Sequence, residues 1–455
     1  MPPSSLVNAP SALPTPRSGT LSDAPSGPGP GVPPRPRVLL LAYACSPYHG
    51  SEPKVGWNRT VEAAHYCDVW VITEQREFED DIRRFEAEHG PLPGVHWHFE
   101  PLTDREWANK TRPFINSGAF RAWNRRAADK ARALHAEVGF DLVHHVNMVG
   151  FREPGYGWEF DDVPFVWGPI GGTQNFPWRF LHTITPRAAA AEMVRNVANR
   201  LQLWLSPRVR KAANRADVVL AANSTNQRHL ARLTRTTPQL LLETGVRAVG
   251  TPKRWADRRP GPVRVLWVGL CVRRKGTTLM RRAFEHLLDG PGAYELTVIG
   301  HGPDADSFDG LPHCDVKGFL PYAEALESYA DADLFVFSSL RDTSGNVVLE
   351  AFANGLPVVA LDHQGARDMV TADCGAKVPV SWPGQTARGI AEAVRSITAT
   401  AERYDRLSAG AIERAKDYAW TRNGEIVNEI YTELTGKQGT FRRVLPDALR
   451  TSVGR

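Results

Sequence analysis

Cysteine is scarce in this chain. There are five in 455 residues, at positions 45, 67, 271, 314 and 374, an odd number with no C-x-x-C spacing. That excludes a disulfide scaffold and a structural zinc site, and it points to reduced thiols in a cytoplasmic protein. Long apolar runs are missing as well. The longest, Val38 to Cys45, falls far short of the ~18–20 residues that span a bilayer. The N-terminus lacks the basic-then-apolar order of a secretion signal, so no export is expected. Charge of one sign is nearly balanced: 55 Lys and Arg against 50 Asp and Glu leave +5, which argues against a uniformly basic nucleic-acid binder. No G-x-G-x-x-G stands at the first strand-to-helix turn and no Walker A lysine motif is present, which disfavours a nicotinamide enzyme and a P-loop enzyme.

What is present is globular material, 42% hydrophobic and 23% charged, of a length that suits two domains. Residues 1–36 differ from the rest. They hold eleven prolines and no aromatic side chain, and read as a disordered tail. From Arg37 short apolar runs alternate with helical stretches. Candidate strands are Val38–Ala42, Val69–Thr73, His96–Phe99, Leu142–His145, Pro164–Trp167 and Val218–Ala222, then Val263–Val268, Leu296–Ile299, Leu334–Phe337 and Val358–Leu361. Several are continuously apolar rather than alternating, the mark of parallel strands covered on both faces. The predicted fold is α/β with two doubly wound Rossmann-like domains facing an interdomain cleft. Residues 37–250 form the first, 251–261 a polar, basic linker and 262–435 the second, whose last helix can cross back, with a tail over 436–455. Ligands of such sheets bind beyond the carboxyl ends of the strands.

Chemistry concentrates between Leu334 and Gly365. A buried strand ends at Ser338, a polar loop carries Arg341 to Gly345, and an apolar helix follows from about Asn346 to Asn354. A helix N-terminus presents unpaired N–H groups and partial positive charge, so amides around Gly345, Asn346 and Val347 suit a diphosphate. Glu350 lies one turn into this helix, where a carboxylate needs a partner such as a pair of ribose hydroxyls. The other reading is an ordinary strand-loop-helix unit whose Glu350 forms a salt bridge.

Asp342 and Glu350, separated by seven residues with Gly345 among them and Glu-Ala-Phe-Ala-Asn-Gly-Leu-Pro-Val-Val following, resemble the E-x7-E motif of retaining GT-B glycosyltransferases of family 4, the glycosyl transferases group 1. Asp342 takes the place of the first Glu, and Thr343 and Ser344 that of Gly-Phe. The resemblance implies that Asp342 contacts the donor sugar and Glu350 the ribose. Trp267 to Gly276 resembles the family's diphosphate loop, with Gly269 at the strand end, Leu270 where the family has Arg, and Arg273, Arg274 and Lys275 beyond it. Cations there are a natural diphosphate clamp. Lys275 takes the family lysine's role, and Arg274 or Arg273 substitutes for the missing cation. Leu296 to Pro303 resembles the family's strand followed by Gly-x-Gly-Pro. Gly318 and Phe319 lie in the segment that faces the nucleotide base.

Signals in the first half are looser. The loop Ala44–Pro53 matches the family's glycine-containing loop across the cleft, with Ser46, Gly50 and Ser51 as candidate donors and a helix starting near Gly56 or Trp57. Many members carry Asp-x-x-His-x-His at the strand Leu142–His145. Asp141 and His144 match here, the second His position is Val146, and His145 is offset onto the other face of the strand. Gly168 to Thr173 is another glycine-rich loop, a candidate for the acceptor side. Residues 179–215 carry eight cations and one acid, with Leu201, Leu203, Trp204 and Leu205 among them. A basic helix with such anchors suits an anionic membrane surface, and a solvated helix with its Trp in the core suits the same pattern.

The resemblance as a whole implies a metal-independent retaining transfer of a sugar from a nucleotide-diphospho-sugar to a glycan or lipid-linked acceptor in polysaccharide or glycoconjugate biosynthesis. The nucleotide sugar is a co-substrate and no cofactor is expected. Catalytic roles fall to Asp342, Lys275, Arg274 and His145, with donor contacts from Glu350, Gly345, Asn346, Val347, Gly269, Arg273, Gly50, Ser51, Gly318 and Phe319. The expected setting is the cytoplasm, peripheral at the inner face of the membrane, without nucleic acid. Two rivals are a GT-B-like nucleotide-sugar epimerase and a non-catalytic nucleotide-sugar-binding subunit.

Overall fold

The apolar runs assemble into two parallel sheets. The computed structural model describes residues 35–110, 116–148 and 150–445. In the first half lie β1 (Arg37–Ala42), β2 (Asp68–Glu74), β3 (Val95–Glu100), β4 (Leu142–Asn147), β5 (Phe165–Ile170), β6 (Val218–Ala221) and β7 (Gln239–Leu240), in spatial order 3-2-1-4-5-6-7. In the second lie β8 (Val263–Val268), β9 (Tyr294–Ile299), β10 (Cys314–Gly318), β11 (Leu334–Phe337), β12 (Val358–Leu361) and β13 (Gly375–Val378), in order 10-9-8-11-12-13. The order reverses at β1/β4 and at β8/β11. At those two switch points successive crossovers leave on opposite faces and a crevice opens at the carboxyl ends.

The central strands are buried on both faces, as continuous apolar runs require. All of Val38 to Ala42 and of Leu334 to Phe337 are buried. β7, β10 and β13 were not among the expected strands, and the reason is their position. They lie at or near sheet edges, where an exposed face needs no apolar signal; Asp315, Val316 and Lys317 of β10 are all exposed.

Three boundaries differ from the sequence reading. The helix after β1 spans Glu52–Ala64 and so starts four residues before Gly56. Pro53 fits its first turn, where the N–H has no helical partner anyway. Residues 1–34 of the expected tail lie outside the described residues, but Arg35 and Pro36 are part of the fold. Arg35 donates to the Ala64 and Cys67 carbonyls, and the Pro36 carbonyl accepts from Asp68 N. The stretch read as a C-terminal tail docks over 436–445. Arg442 pairs with Asp68 at 2.9 Å, and Val444 and Leu445 are buried in the core of the first half.

From Arg35 onward the chain is one compact unit, and each half lends a segment to the other. The helix Trp420–Thr435 packs Val427, Ile430 and Tyr431 into the first half's core. Its Asn423 accepts from the fully buried Arg59 at 2.6 Å. In return Phe176 and Phe180, from the loop after β5, are buried in the core of the second half.

Candidate functional site

The loops after β8, β9 and β11 meet at the second switch point. Lys275 Nζ pairs with the Asp342 carboxylate, and Arg274 stands 3.9 Å from it. Burial pushes the Asp342 carboxyl up, but Lys275 and Arg274 outweigh burial and hold it below its ordinary range. Gly276 places this loop: its φ is 74° and a Cβ would stand 2.2 Å from the Ser338 carbonyl oxygen. Arg273 turns aside to Asp304, 3.7 Å away. Gly269 donates its N–H to the Ile299 carbonyl and stands beside Gly300.

Gly345 opens the helix Asn346–Ala353 at φ 97°, with the Phe337 ring where a Cβ would be, 2.7 Å away. Any other residue would displace the turn. No side chain among the described residues caps this helix, so its first amides, near Asn346 and Val347, have no side-chain acceptor. Glu350 accepts from Tyr322 at 3.0 Å and from Tyr329 at 2.8 Å. Burial raises its pKa, opposed by those two hydroxyls and by Lys54. A cavity of about 380 Å³ opens here between the halves, lined by Lys54, Arg247, Tyr322, Asn346 and Glu350 among others. Gly318 and Phe319 follow β10. The Phe319 ring is 69% exposed and 5.4 Å from that of His301.

The turn 341–345 is also held from the first half. Gln174 donates to the Thr343 hydroxyl at 2.6 Å, and Asn223 to the Thr343 carbonyl at 2.7 Å. Arg341 pairs with Glu192 at 2.9 Å. Ser344 donates to the buried Glu243 at 2.6 Å, and burial pushes that carboxyl up to about 7. Thr343 and Ser344, the residues that depart from the family text, therefore fasten the turn to the opposite domain.

The first half contributes less directly. Gly50 and Ser51 sit on an exposed loop, with Ser51 at φ 59° just before the Glu52 helix. Ser46 points inward and donates to Asp81, so it is not a donor to the cleft. The two histidines occupy opposite faces of β4. His144 bridges the Gly168 carbonyl at 2.6 Å and the Tyr431 hydroxyl at 2.5 Å. His145 is buried against Gly155, with neither ring nitrogen hydrogen-bonded among the described residues. Burial lowers its pKa to about 4. A second cavity, about 500 Å³, lies at the carboxyl ends of β1 and β4 between Tyr43, Glu52, Phe78, Phe120 and Arg152.

Sequence reasoning missed Lys54, Tyr322, Tyr329, Glu243 and Gln364, whose side chain accepts from Asp342 N at 2.6 Å. Only the tyrosines left a signal: seven residues apart, they share one face of a helix. Two Asp-Ala-Asp strings, Asp304–Asp306 and Asp331–Asp333, are engaged by arginines: Asp304 by Arg273, Asp331 by Arg259 and Asp333 by Arg264.

Known proteins resemble this chain in part of the sequence and in the fold. Residues 262–399 match the family model of the glycosyl transferases group 1. A GDP-mannose-dependent alpha-mannosyltransferase of Mycobacterium tuberculosis is 35% identical over 119 residues, 26% of this chain and 31% of that one. The sulfoquinovosyl transferase of Arabidopsis thaliana is 28% identical over 184 residues, 39% of this chain and 35% of its own. The chain thus spans about a third of the length of these curated relatives. Among solved structures, a sucrose-phosphate synthase from Thermosynechococcus elongatus superposes with a TM-score of 0.59 at 18% identity, over 88% of this chain and 100% of that one. Anabaena HepE in complex with UDP-glucose gives 0.56 at 13% identity, with the same coverage. The fold is thus GT-B, and residues 262–399, in the second α/β half, are similar to the glycosyl transferases group 1.

Proposed function

We propose that the protein transfers a sugar from a nucleotide-diphospho-sugar to a glycan or lipid-linked acceptor, with retention of configuration and without a metal ion. One observation carries the reading: Arg274, Lys275 and the uncapped helix beginning at Asn346 converge on the turn that holds Asp342. Positive groups fixed in place before reaction are what a departing diphosphate needs. In this reading the diphosphate lies on the amides of Gly345, Asn346 and Val347. Lys275 and Arg274 exchange part of their contact with Asp342 for phosphate oxygens, which frees Asp342 to accept from a donor-sugar hydroxyl. Glu350, steadied by Tyr322 and Tyr329, takes the ribose hydroxyls from the wall of the 380 Å³ cavity. Gly318 and Phe319 border the base. The acceptor enters through the 500 Å³ cavity of the first half, past Gly50 and Ser51.

Retention is accounted for by attack from the face the leaving phosphate vacates, the phosphate itself taking the acceptor's proton. No protein base is required, and no step is assigned to His145, whose ring is enclosed in the first half. The first half's looser loops suit an acceptor that differs from one relative to the next. UDP-glucose, bound by the Anabaena neighbour, and GDP-mannose, named for the mycobacterial relative, are the first donors to try. Incubation with each should raise the unfolding temperature for the true donor and, with acceptor, release nucleoside diphosphate. Stabilisation without release under any acceptor would identify a binding subunit, and release of an epimerised sugar without acceptor would identify an epimerase.

A further inference from the structure

The helix Pro186–Leu205 displays apolar side chains that it does not bury. Val194, Val197, Leu201, Trp204 and Leu205 are all exposed, Val194 at 69% and Leu205 at 70%. Their spacing of three, four, three and one places them on one face of the helix. The opposite face is fixed to the protein: Asn196 both accepts from and donates to the backbone of Phe176, and Leu203 is buried. The stripe is therefore held outward. Around it stand cations, and the one acid of this helix, Glu192, is paired with Arg341. Arg187, Arg200 and Arg210 are exposed and form no ion pair among the described residues.

Beside Trp204 a cavity of about 300 Å³ opens between this helix and the helix Ser224–Leu230. Arg200 and Arg232 flank it, Asn199 and His229 line its wall, and no carboxylate of the described residues lines it. His229 is hydrogen-bonded to the Thr173 hydroxyl at 2.9 Å. Burial first, then Arg232, Arg228 and Arg200, lower the basicity of that imidazole, as expected of cations gathered without a counter-charge.

We propose that this face docks on an anionic lipid bilayer. The stripe of the 186–205 helix enters the acyl boundary, and the cavity between Arg200 and Arg232 takes a lipid phosphate. An apolar stripe rimmed by cations matches such a surface in both polarity and charge. A second copy of the chain is a poorer match, because an isologous pairing along this helix would set unpaired arginines against one another. The loop between this cavity and the donor turn is short: Gln174 bonds Thr343, and the Asn175 carbonyl accepts from Gln364 at 3.0 Å. A lipid held here would lie beside the turn assigned to the donor. Only that last step rests on the proposed transfer; the docking itself does not.

The test is co-sedimentation of the full chain, without donor, with equimolar phosphatidylglycerol–phosphatidylcholine vesicles and with pure phosphatidylcholine vesicles. The expected result is binding to the anionic vesicles at least about tenfold tighter than to the neutral ones, weakened by salt. The double variant Leu201→Glu/Leu205→Glu should lose binding to both. Arg232→Glu should bring the anionic vesicles down to the neutral level, and its exposed position keeps this arm readable if the double variant misfolds. No binding to either vesicle, or equal binding to both, would overturn the proposal. So would a lipid-independent dimer that Leu201→Glu/Leu205→Glu dissociates, which would make the stripe a protein interface. Donor binding in lipid-free solution is read separately, so failure here leaves the donor reading standing, and the converse holds.

Discussion

The two loop systems that face each other across the cleft are built differently. On the side of the second half, cations, one carboxylate and a helix N-terminus are packed at fixed positions, and Thr343 and Ser344 are tied to the opposite domain. On the side of the first half, Gly50 and Ser51 stand on an exposed loop above a wider cavity with aromatic walls. A diphosphate is the same in every nucleotide-diphospho-sugar, so electrostatics can be fixed in advance for it. An acceptor varies, and a looser, mixed wall suits it. If this contrast is right, substitutions in the first system should cost far more than substitutions in the second.

The largest effect is expected from Lys275→Ala. Turnover should fall about 10²–10³-fold, the usual cost of removing one preorganised group from a developing negative charge. Affinity for the free nucleoside should be kept. Equal loss for nucleoside and nucleoside diphosphate would mean a folding defect, since the variant leaves Asp342 without its nearest cation. Next comes Glu350→Ala. The loss of charge-assisted hydrogen bonds should cost about 1.5–3 kcal/mol, or roughly 10- to 150-fold in donor affinity by calorimetry.

A smaller effect concerns the hinge of the contrast, Glu243. Its folded pKa, about 7, lies above its ordinary 4.5 because of burial. Folding therefore favours the neutral acid. The stability it contributes is complete below pH 4.5 and is lost as the pH rises through 7. Glu243→Gln keeps the bond to Ser344 and removes the ionisation. Denaturant unfolding should show the variant more stable than the parent by at most about 3 kcal/mol near pH 8, with no difference near pH 4. An equal gain at both pH values would place the carboxyl in contact with water. The smallest effect is no effect: activity should survive excess EDTA, because Arg274, Lys275 and the 346–353 helix already supply positive potential. Loss with EDTA and recovery with Mg²⁺ would sink the metal-free reading, with Asp304, Asp306, Asp331 and Asp333 the first residues to replace.

The same contrast governs what could be read from the sequence. The second half was legible because its chemistry is local: Asp342, Gly345 and Glu350 lie within one strand-loop-helix unit, and spacing alone sets their geometry. Buried strands such as Leu334–Phe337 announced themselves by being apolar throughout. The partners of those residues were not legible, because they arrive from far along the chain. Tyr322 and Tyr329 reach Glu350, Gln174 reaches Thr343 and Glu243 reaches Ser344 only once both sheets are folded. Alternation along β4 correctly separated His144 from His145, but not what each would meet. His144 is satisfied by Tyr431, a residue 287 positions away on the returning helix. Edge strand β10 was invisible for the opposite reason, since its exposed residues carry no pattern.

One titration tests the central claim, that fixed positive groups of the second half hold a diphosphate. The protein is titrated with UDP and uridine, and with GDP and guanosine, before and after Lys275→Ala. For the matching base, the diphosphate should bind the parent at least about tenfold more tightly than the nucleoside, as one charge-assisted hydrogen bond requires, and the gap should shrink in the variant. Equal affinity of the parent for nucleoside and diphosphate with the matching base would contradict the account.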